Sequence, residues 1–394
     1  MFPENVIFEV LSRLPAKSIT RCKCVCKEWL DIVSDPHFVR HHLSSKTRVA
    51  LMIHESTDKG VRNLNAGALK WVEMERKYPQ LDKFKKWRKE RGESLTVHPV
   101  RSLDFTNRGE VGGVYQIGSV NGLVSYWAYR NFIYILNPVL EEYMTLPLPP
   151  VRVVVYDYYN VKTLGYGFGV SLTTGEYKVY TIGDTGGQWR RIIISTPNNL
   201  DFRGGQPGVY VNSHLYWLGD HGQIYGFDLT TEEMSELLFP NSPPPPAELG
   251  DKERMLGVLK GDLSFFFCSS SSSGGGGFEV WVMKEEEESN KWYKEIVIQE
   301  KDITTLLPKV WTPVCLIDGL NGTNSLLMLC DAGHENLVAY CLTTNKVLSR
   351  TPISWDIGVS SIMAFRPSFV KLDNFKSLGR ESSCQGKKRK SSDR

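Results

Sequence analysis

The first forty residues place apolar side chains at the spacing of a helix. In "FPENVIFEVLSRLPAKS" five apolar positions share one stripe: Val6, Ile7, Val10, Leu11 and Leu14. Pro3 suits the first turn of a helix, and Pro15 ends the helix because its ring clashes with the preceding turn. The segment "SITRCKCVCKEWLDIVSD" repeats the helical spacing, which predicts a second helix after Pro15.

Three cysteines at alternate positions of this second segment raise the question of a metal site. On one helix Cys22 and Cys26 would share a face while Cys24 points away, so the three thiols could not converge on one ion. On a strand they could align, but the surrounding pattern is helical. His37, His41 and His42 lie beyond the turn at Asp35-Pro36 and do not complete a zinc set. The pattern favours small buried thiols over a metal centre.

The stretch "FPENVIFEVLSRLPAKSITRCKCVCKEWLDIVSDPHFVRHHL" resembles a plant F-box. The matching features are Leu-Pro-x-Lys-Ser, then Arg-x-x-Cys-Val, Lys-x-Trp and Ser-Asp-Pro-x-Phe, in the family's order and without a gap. Phe2, Ile19 and Cys26 depart from the family pattern by small or apolar exchanges. The resemblance implies a three-helix unit over residues 1–45 that docks onto the Skp-type adaptor of a cullin-RING ubiquitin ligase.

A unit of about forty residues is too small to bury a sizeable core alone, so its apolar surface needs a cover. That cover is either a partner protein or the rest of this chain, and the sequence leaves both open. The resemblance implies nine contact or support residues: Pro3, Ile7, Val10, Leu11, Leu14, Pro15, Ile19, Val25 and Trp29. Lys17, Lys23 and Lys27 are expected to be solvated.

Beyond the helices the chain changes to short aromatic and β-branched runs separated by Gly, Asn and Pro. The phrase Leu-Thr-Thr recurs at Leu172, Leu229 and Leu342, each time between two apolar strands, which is typical of hairpins. A second phrase joins a Gly or Asn turn to an apolar strand: "VNGLVSYW", "VNSHLYWLG", "LKGDLSFFF" and "LNGTNSLLML". The recurrence over residues 46–372 predicts four-stranded blades, six or seven of them, and no Trp-Asp dipeptide stands at the place expected for WD repeats.

The body resembles the F-box-associated, kelch-like propeller domain of plant F-box proteins. The resemblance is to "YILNPVLEEYMTLP", "LGYGFGVSLTTGEYKVY", "GFDLTTEEMSELLFP" and "FEVWVMKEEEESNKWYKEIVI", in that order. The fold class expected is therefore multidomain, an α-helical F-box followed by an all-β propeller. Its aromatic residues, Trp217 and Phe168 among them, are expected in the blade cores. The glycines of "GYGFG" precede no helix pattern, so a dinucleotide site fails on context.

Two segments break this pattern. Residues about 59–95 are rich in Lys and Arg and predict a basic helical insertion. It is either solvated or faces an acidic partner, or less plausibly nucleic acid, through Trp71 and other aromatics. Residues 373–394 predict a disordered basic tail. Four residues of the tail could form a nuclear import signal or a chance basic cluster: Lys387, Lys388, Arg389 and Lys390.

Composition and the absence of certain motifs disfavour several classes of function. The net charge of +3 does not by itself indicate nucleic acid, and we expect no signal peptide and no membrane span. The eight cysteines are expected to be reduced thiols of a nuclear or cytoplasmic protein. No catalytic constellation, metal site or cofactor is predicted. The enzymatic alternative is a copper oxidase built on a propeller. The resemblance of the N-terminal residues to an F-box disfavours this alternative.

The sequence thus predicts a non-catalytic substrate adaptor of a Skp-cullin-F-box ubiquitin ligase. The helices would hold the Skp-type adaptor, and the propeller would hold a protein target that the sequence does not name. The alternative is an F-box and propeller scaffold that does not assemble with a cullin.

Overall fold

The computed structural model has four helices at the N terminus and a β-rich body. The described residues are 3–44, 49–55, 69–73, 75–76, 95–96, 114–128, 132–147, 165–182, 207–219, 223–237, 254–259, 261–269, 277–286, 289–299, 311–317, 325–330, 336–341, 346–352 and 359–372. The helices are α1 Glu4–Ser12, α2 Ala16–Cys22, α3 Lys27–Ser34 and α4 Pro36–Ser44. Within the described residues, no helix has the length and apolarity needed to cross a membrane.

Two prolines set the starts of the first helices. Pro3 and Pro15 occupy the N-cap positions of α1 and α2, with extended ψ values of 142° and 146°. A proline here loses no helical hydrogen bond, because the first amides of a helix have no partner within it. The first predicted helix is therefore confirmed between the two prolines.

The prediction of one continuous second helix is wrong. The chain leaves α2 after Cys22, turns through Lys23, Cys24 and Val25, and begins α3 at Lys27. The expected three-helix unit also contains a fourth helix, α4, which starts at the proline that the sequence marked only as a turn. Pro36 is compatible with a first helical turn because its missing N–H would have no helical acceptor.

The strands of the body follow in chain order. Before the repeats lie β1 Ala50–Glu55, β2 Leu69–Glu73, β3 Glu75–Arg76 and β4 Leu95–Thr96. Next come β5 Val114–Val120, β6 Leu123–Ala128, β7 Phe132–Asn137, β8 Glu142–Pro147, β9 Gly165–Val170 and β10 Tyr177–Ile182. Then come β11 Val209–Val211, β12 His214–Leu218, β13 Ile224–Asp228 and β14 Met234–Leu237.

The remaining strands complete two more sheets and one terminal pairing. They are β15 Arg254–Leu259, β16 Asp262–Ser269, β17 Gly277–Glu286 and β18 Ser289–Gln299. They continue as β19 Trp311–Ile317, β20 Ser325–Cys330, β21 Asn336–Cys341, β22 Lys346–Pro352 and β23 Val359–Phe365.

Four antiparallel sheets have four strands each in chain order: β5–β8, β11–β14, β15–β18 and β19–β22. Strands β9 and β10 pair as a further hairpin. Because neighbouring strands in a sheet are sequential, the connections alternate between its two ends. The turns between first and second strands, and between third and fourth strands, therefore lie at one end of every sheet.

The two recurrent phrases are confirmed as turns in the described residues. Leu172 begins the turn between β9 and β10, and Leu229 begins the turn between β13 and β14. The Asn121-Gly122 and Asn212-Ser213 pairs turn between the first and second strands of their sheets, with positive φ at all four residues. Leu342 lies outside the described residues, although the strands on either side of it pair as expected.

The first strand of the body pairs with the last. Strand β1 lies between β2 and β23, so residues near both ends of the chain share one sheet. This finding corrects part of the predicted helical insertion, because Leu69–Glu73 is a strand. Trp71 is buried against Phe365, with ring centroids 6.0 Å apart, and does not face a partner. Residues 77–94, the predicted tail and its basic cluster lie outside the described residues.

One edge strand of each sheet contacts an edge strand of the next sheet, in a fixed order. Strand β23 contacts β5, β5 contacts β9, and β9 contacts β11. The order continues from β11 to β15, from β15 to β19, and from β19 back to β23.

Glycines let the sheets approach one another. A Cβ on Gly167 would lie 2.6 Å from the Trp217 ring, and a Cβ on Gly169 would lie 2.7 Å from Leu229. The glycines of "GYGFG" are therefore packing positions on strand β9, where side chains of the next sheet fill the space. Trp217, Phe168 and Phe227 are buried as predicted.

Candidate functional site

The nine predicted F-box residues fall into three groups by exposure. Ile7, Leu11 and Ile19 are buried, Leu14, Pro15 and Trp29 are half-buried, and Pro3, Val10 and Val25 are exposed. The buried group joins one apolar cluster, against which Leu14 and Trp29 also pack. The exposed group is the part of the set that a second protein could touch directly.

Helix α1 has apolar residues on two adjoining faces. Ile7 and Leu11 lie one turn apart and point into the protein, with exposures of 8% and 0%. Val6 and Val10 also lie one turn apart, and their exposures are 43% and 53%. Because each residue rotates the helix by about 100°, the apolar arc is wider than the face that the chain itself covers. The outer part of the arc remains open to solvent.

The turn after α2 presents the most exposed apolar side chain of the helical unit. The amide of Cys24 donates to the Arg21 carbonyl and that of Val25 to the Cys22 carbonyl, both at 3.0 Å. These bonds fix the turn, and Val25 is 63% exposed at its tip. Leu30 on α3 adds another apolar side chain at 41% exposure.

Four large apolar side chains of the helical unit are exposed, and we call this set the outer apolar face: Val6, Val10, Val25 and Leu30. Two of its members, Val6 and Leu30, are absent from the predicted contact residues. Val6 belongs to the apolar stripe read from the sequence and could have been included. Leu30 could not, since the expected continuous second helix gave no reason to orient it outward.

The inner face of the helices is covered by the chain's own body. The cluster that holds Leu11 and Ile19 also contains Met52, Tyr126 and Phe365 of the body. Of the two covers that the sequence left open, the rest of the chain covers the inner face, whereas the outer apolar face is exposed.

Lys23 is not solvated as expected. It is half-buried, and its Nζ lies 4.8 Å from the centroid of the Phe369 ring, a cation–π contact. Burial lowers the pKa of Lys23, and the nearby Lys371 lowers it further, while Glu142 opposes the shift. Lys17 is also half-buried, whereas Lys27 is exposed. Lys23 is therefore part of the contact between helices and body.

His42 on α4 is buried in the same contact, against the rings of Phe38 and Phe369. Burial, and secondarily the charge of His41, lower the pKa of His42 to about 4. An unfolded histidine titrates at about 6.5, so the unfolded chain binds the proton first as the pH falls. We expect the free energy of unfolding to decrease between pH 6.5 and 4, by on the order of 3 kcal/mol from this residue.

Denaturant unfolding at several pH values measures this effect. The substitution His42→Leu should remove the contribution of this side chain between pH 6.5 and 4. Val39→Ala on the same helix has no titratable group, so it should lower stability equally across that range. A pH profile of His42→Leu identical to that of the wild type would contradict the assignment.

The cysteines do not behave as one buried set. Cys22 is half-buried against the core, and burial raises the pKa of its thiol. Cys24 and Cys26 are free thiols exposed in the turn, which corrects the expectation that all three pack inside. Among the described residues, no group of three or more His, Cys, Asp or Glu side chains could hold a metal ion.

The chain thus has two parts: four small helices with an outer apolar face, and a body of repeated antiparallel sheets. Residues 1–41 match the F-box domain, and residues 84–346 match the F-box associated beta propeller domain. The chain belongs to the F-box-associated β-propeller family, with an F-box at its N terminus.

Curated relatives of the chain come from Arabidopsis thaliana. One F-box protein is 24% identical over 61% of this chain and 54% of its own length, and another is 26% identical over 60% and 58%. An F-box/kelch-repeat protein is 28% identical over 60% and 64%. The chain thus spans less than two thirds of the length of these relatives. A solved selenium-binding protein of Sulfolobus tokodaii is 14% identical over 79% of this chain and 75% of its own, at a TM-score of 0.36.

Proposed function

We propose that this protein is the substrate-recognition adaptor of a Skp-cullin-F-box ubiquitin ligase. The observation that best supports the proposal is the outer apolar face on an F-box helical unit whose inner face is already covered. Exposed apolar surface on an otherwise folded unit is typical of a protein interface. The outer apolar face, with Pro3 and the half-buried Leu14, Pro15 and Trp29, would contact the Skp-type adaptor, and the buried Ile7, Leu11 and Ile19 would support it.

We also propose that the body is a kelch-like propeller of six blades. Six edge strands support this arrangement, because the order of their contacts returns to its starting point: β5, β9, β11, β15, β19 and β23. The pairing of β1 with β23 would join the two ends of the body in one blade. The domain boundaries proposed on this basis remain residues 1–45, 46–372 and 373–394, in a nuclear or cytoplasmic protein.

The target protein would bind at the ends of the strands remote from the helices. The chain after β23 contacts Asn121 and Asn137 at the turn ends of β5–β8, and the helices pack on that chain through Phe369. We therefore place the partner at the opposite strand ends. Loops at one end of a rigid sheet scaffold commonly determine binding specificity.

The contribution of such an adaptor to ubiquitin transfer is proximity. Holding the target and the loaded conjugating enzyme in one complex replaces a bimolecular encounter with a local one, at an effective concentration of about millimolar. No residue of this chain needs to touch the reacting carbonyl. The chain is therefore proposed to be non-catalytic, without cofactor or metal.

Reconstitution with purified Skp-type adaptor and cullin tests the proposal. We expect the full chain to co-elute with both proteins in one complex. A complex with the adaptor that excludes the cullin would instead support the scaffold alternative. Failure to bind the adaptor would contradict both readings.

A further inference from the structure

The segment that follows β23 links the helices to the body, and we call residues 366–372 the strap. We propose that the strap fixes the orientation of the F-box helices relative to the body, with Phe369 as its positioning residue. The inference deepens the proposed function, because orientation matters to an adaptor that works by proximity. The strap itself is defined by contacts that do not depend on any partner.

The main chain of the strap is held by side chains at one end of the β5–β8 sheet. The Asn137 amide Nδ2 donates to the carbonyls of Ser368 and Val370, at 3.1 Å and 2.8 Å. The amide of Leu372 donates to a Glu142 carboxylate oxygen at 3.3 Å. Asn137 is buried, and its Oδ1 also accepts from the amide of Val139 at 2.9 Å, so its side-chain orientation is fixed. The strap is thus bonded to the turn between β7 and β8.

A second turn of the same sheet receives the start of the strap. The Ser368 hydroxyl donates to the carbonyl of Asn121 at 2.6 Å. The next residue, Gly122, has a φ of +80°, and a Cβ there would lie 2.2 Å from the Ser368 Oγ. Gly122 therefore serves the turn and also leaves room for the strap.

Side chains of the strap point alternately to the two sides. Val370 and Leu372 join the apolar cluster of the β5–β8 sheet, which includes Ile117 and Ile135. Phe369 joins the cluster that contains the helices. An extended segment presents successive side chains to opposite faces, so seven residues can connect two cores.

Helix α4 is the element that meets the strap. Phe38 and His42, one helical turn apart, pack on Phe369 with ring centroids at 6.4 Å and 5.4 Å. Val39 and Leu43, the next pair along the helix, pack against the cluster that holds Val370 and Leu372. Lys23 covers the Phe369 ring from the turn before α3. The helical unit is therefore attached to the strap through two of its parts.

Distance measurements between the two parts test the strap. Spin labels on unnatural ketone side chains at Asp31 of α3 and Glu236 of β14, both exposed, leave the native cysteines untouched. We expect one narrow distance distribution in the full chain. Phe369→Ala should broaden it by at least about twofold, because the helices would sample several orientations. The exposed strap residue Arg366 supplies the matched control, and Arg366→Ala should leave the distribution unchanged.

Titration with the Skp-type adaptor distinguishes a failure of the strap proposal from a failure of the proposed function. The affinity for the Skp-type adaptor should change by less than about twofold in Phe369→Ala, because Phe369 is not on the outer apolar face. If Phe369→Ala fails to fold, Phe369→Leu takes its place and should give a smaller broadening. An unchanged distribution in the folded variant would overturn the strap, whatever the adaptor does. A broadened distribution in a chain that binds no adaptor would retain the strap and reject the ligase role.

Discussion

Replacing Val10 by aspartate is expected to weaken binding of the Skp-type adaptor by at least about 100-fold, which corresponds to about 2.7 kcal/mol. The substitution would place an unpaired carboxylate in an apolar interface, where desolvation of the charge is costly. The fold should tolerate it, because Val10 is 53% exposed in the free chain. Calorimetric titration of the purified full chain with the adaptor measures the loss.

The chain provides a matched control for this substitution. Leu172 on the body is 68% exposed, so Leu172→Asp introduces the same charge at an equally open apolar site. It should leave adaptor binding unchanged, whereas Val25→Asp should weaken binding as Val10→Asp does. Leu14→Asp is a poorer choice because Leu14 packs on the core, so unfolding would mimic lost binding. Equal affinities for Val10→Asp and Leu172→Asp would rule out the outer apolar face as the docking site.

Replacing Trp217 by alanine is expected to lower the free energy of unfolding by about 3–5 kcal/mol, the usual cost of deleting a large buried aromatic. Trp217 is 2% exposed, and its indole N–H donates to the Tyr166 carbonyl at 3.0 Å. Its ring occupies space that Gly167 and Gly208 leave open between neighbouring sheets. Removing the ring therefore leaves a cavity at a contact between sheets, while the Tyr166 carbonyl still accepts from the Gly208 amide at 2.7 Å. Denaturant unfolding measures the change.

Trp281 is the matched control for that experiment. It is only half-buried, with Lys294 over its ring at 4.8 Å and its N–H bonded to Glu279. Since less apolar area is lost, Trp281→Ala should cost less than half as much as Trp217→Ala. Similar costs for the two substitutions would mean that the contact between sheets is not the tightly packed one described.

The turns of the body could be predicted from the sequence because turn chemistry is local. Asn121, Gly122 and Asn212 adopt positive φ, which asparagine and glycine tolerate, and the strands on either side of these turns pair with each other. The hairpin at Leu172 follows from the same local preferences. These features needed no knowledge of distant residues.

Other features depend on contacts between residues that are far apart in the sequence. Residues Leu69–Glu73 look helical beside their charged neighbours, yet they pair with β1, which pairs in turn with β23. The burial of Trp71 against Phe365 stabilises the strand, and these two residues are far apart in the chain. Tertiary packing of this kind commonly overrides a local preference.

The exposure of the residues in the proposed docking site could be predicted only in part, for the same reason. Helical spacing identifies the apolar residues of α1, but it does not say which side the chain covers with its own body. Only the structure separates the buried Leu11 from the exposed Val10. The turn at Val25 was not predicted, because the helical spacing of apolar residues continues across it.

Hydrogen exchange on the full chain, with and without the Skp-type adaptor, decides whether the F-box helices bind it. We expect the adaptor to slow exchange at amides of α1 to α3, including the turn at Val25, and to leave exchange in the body strands unchanged. Absence of protection in these helices at saturating adaptor, or protection confined to the body, would contradict this expectation.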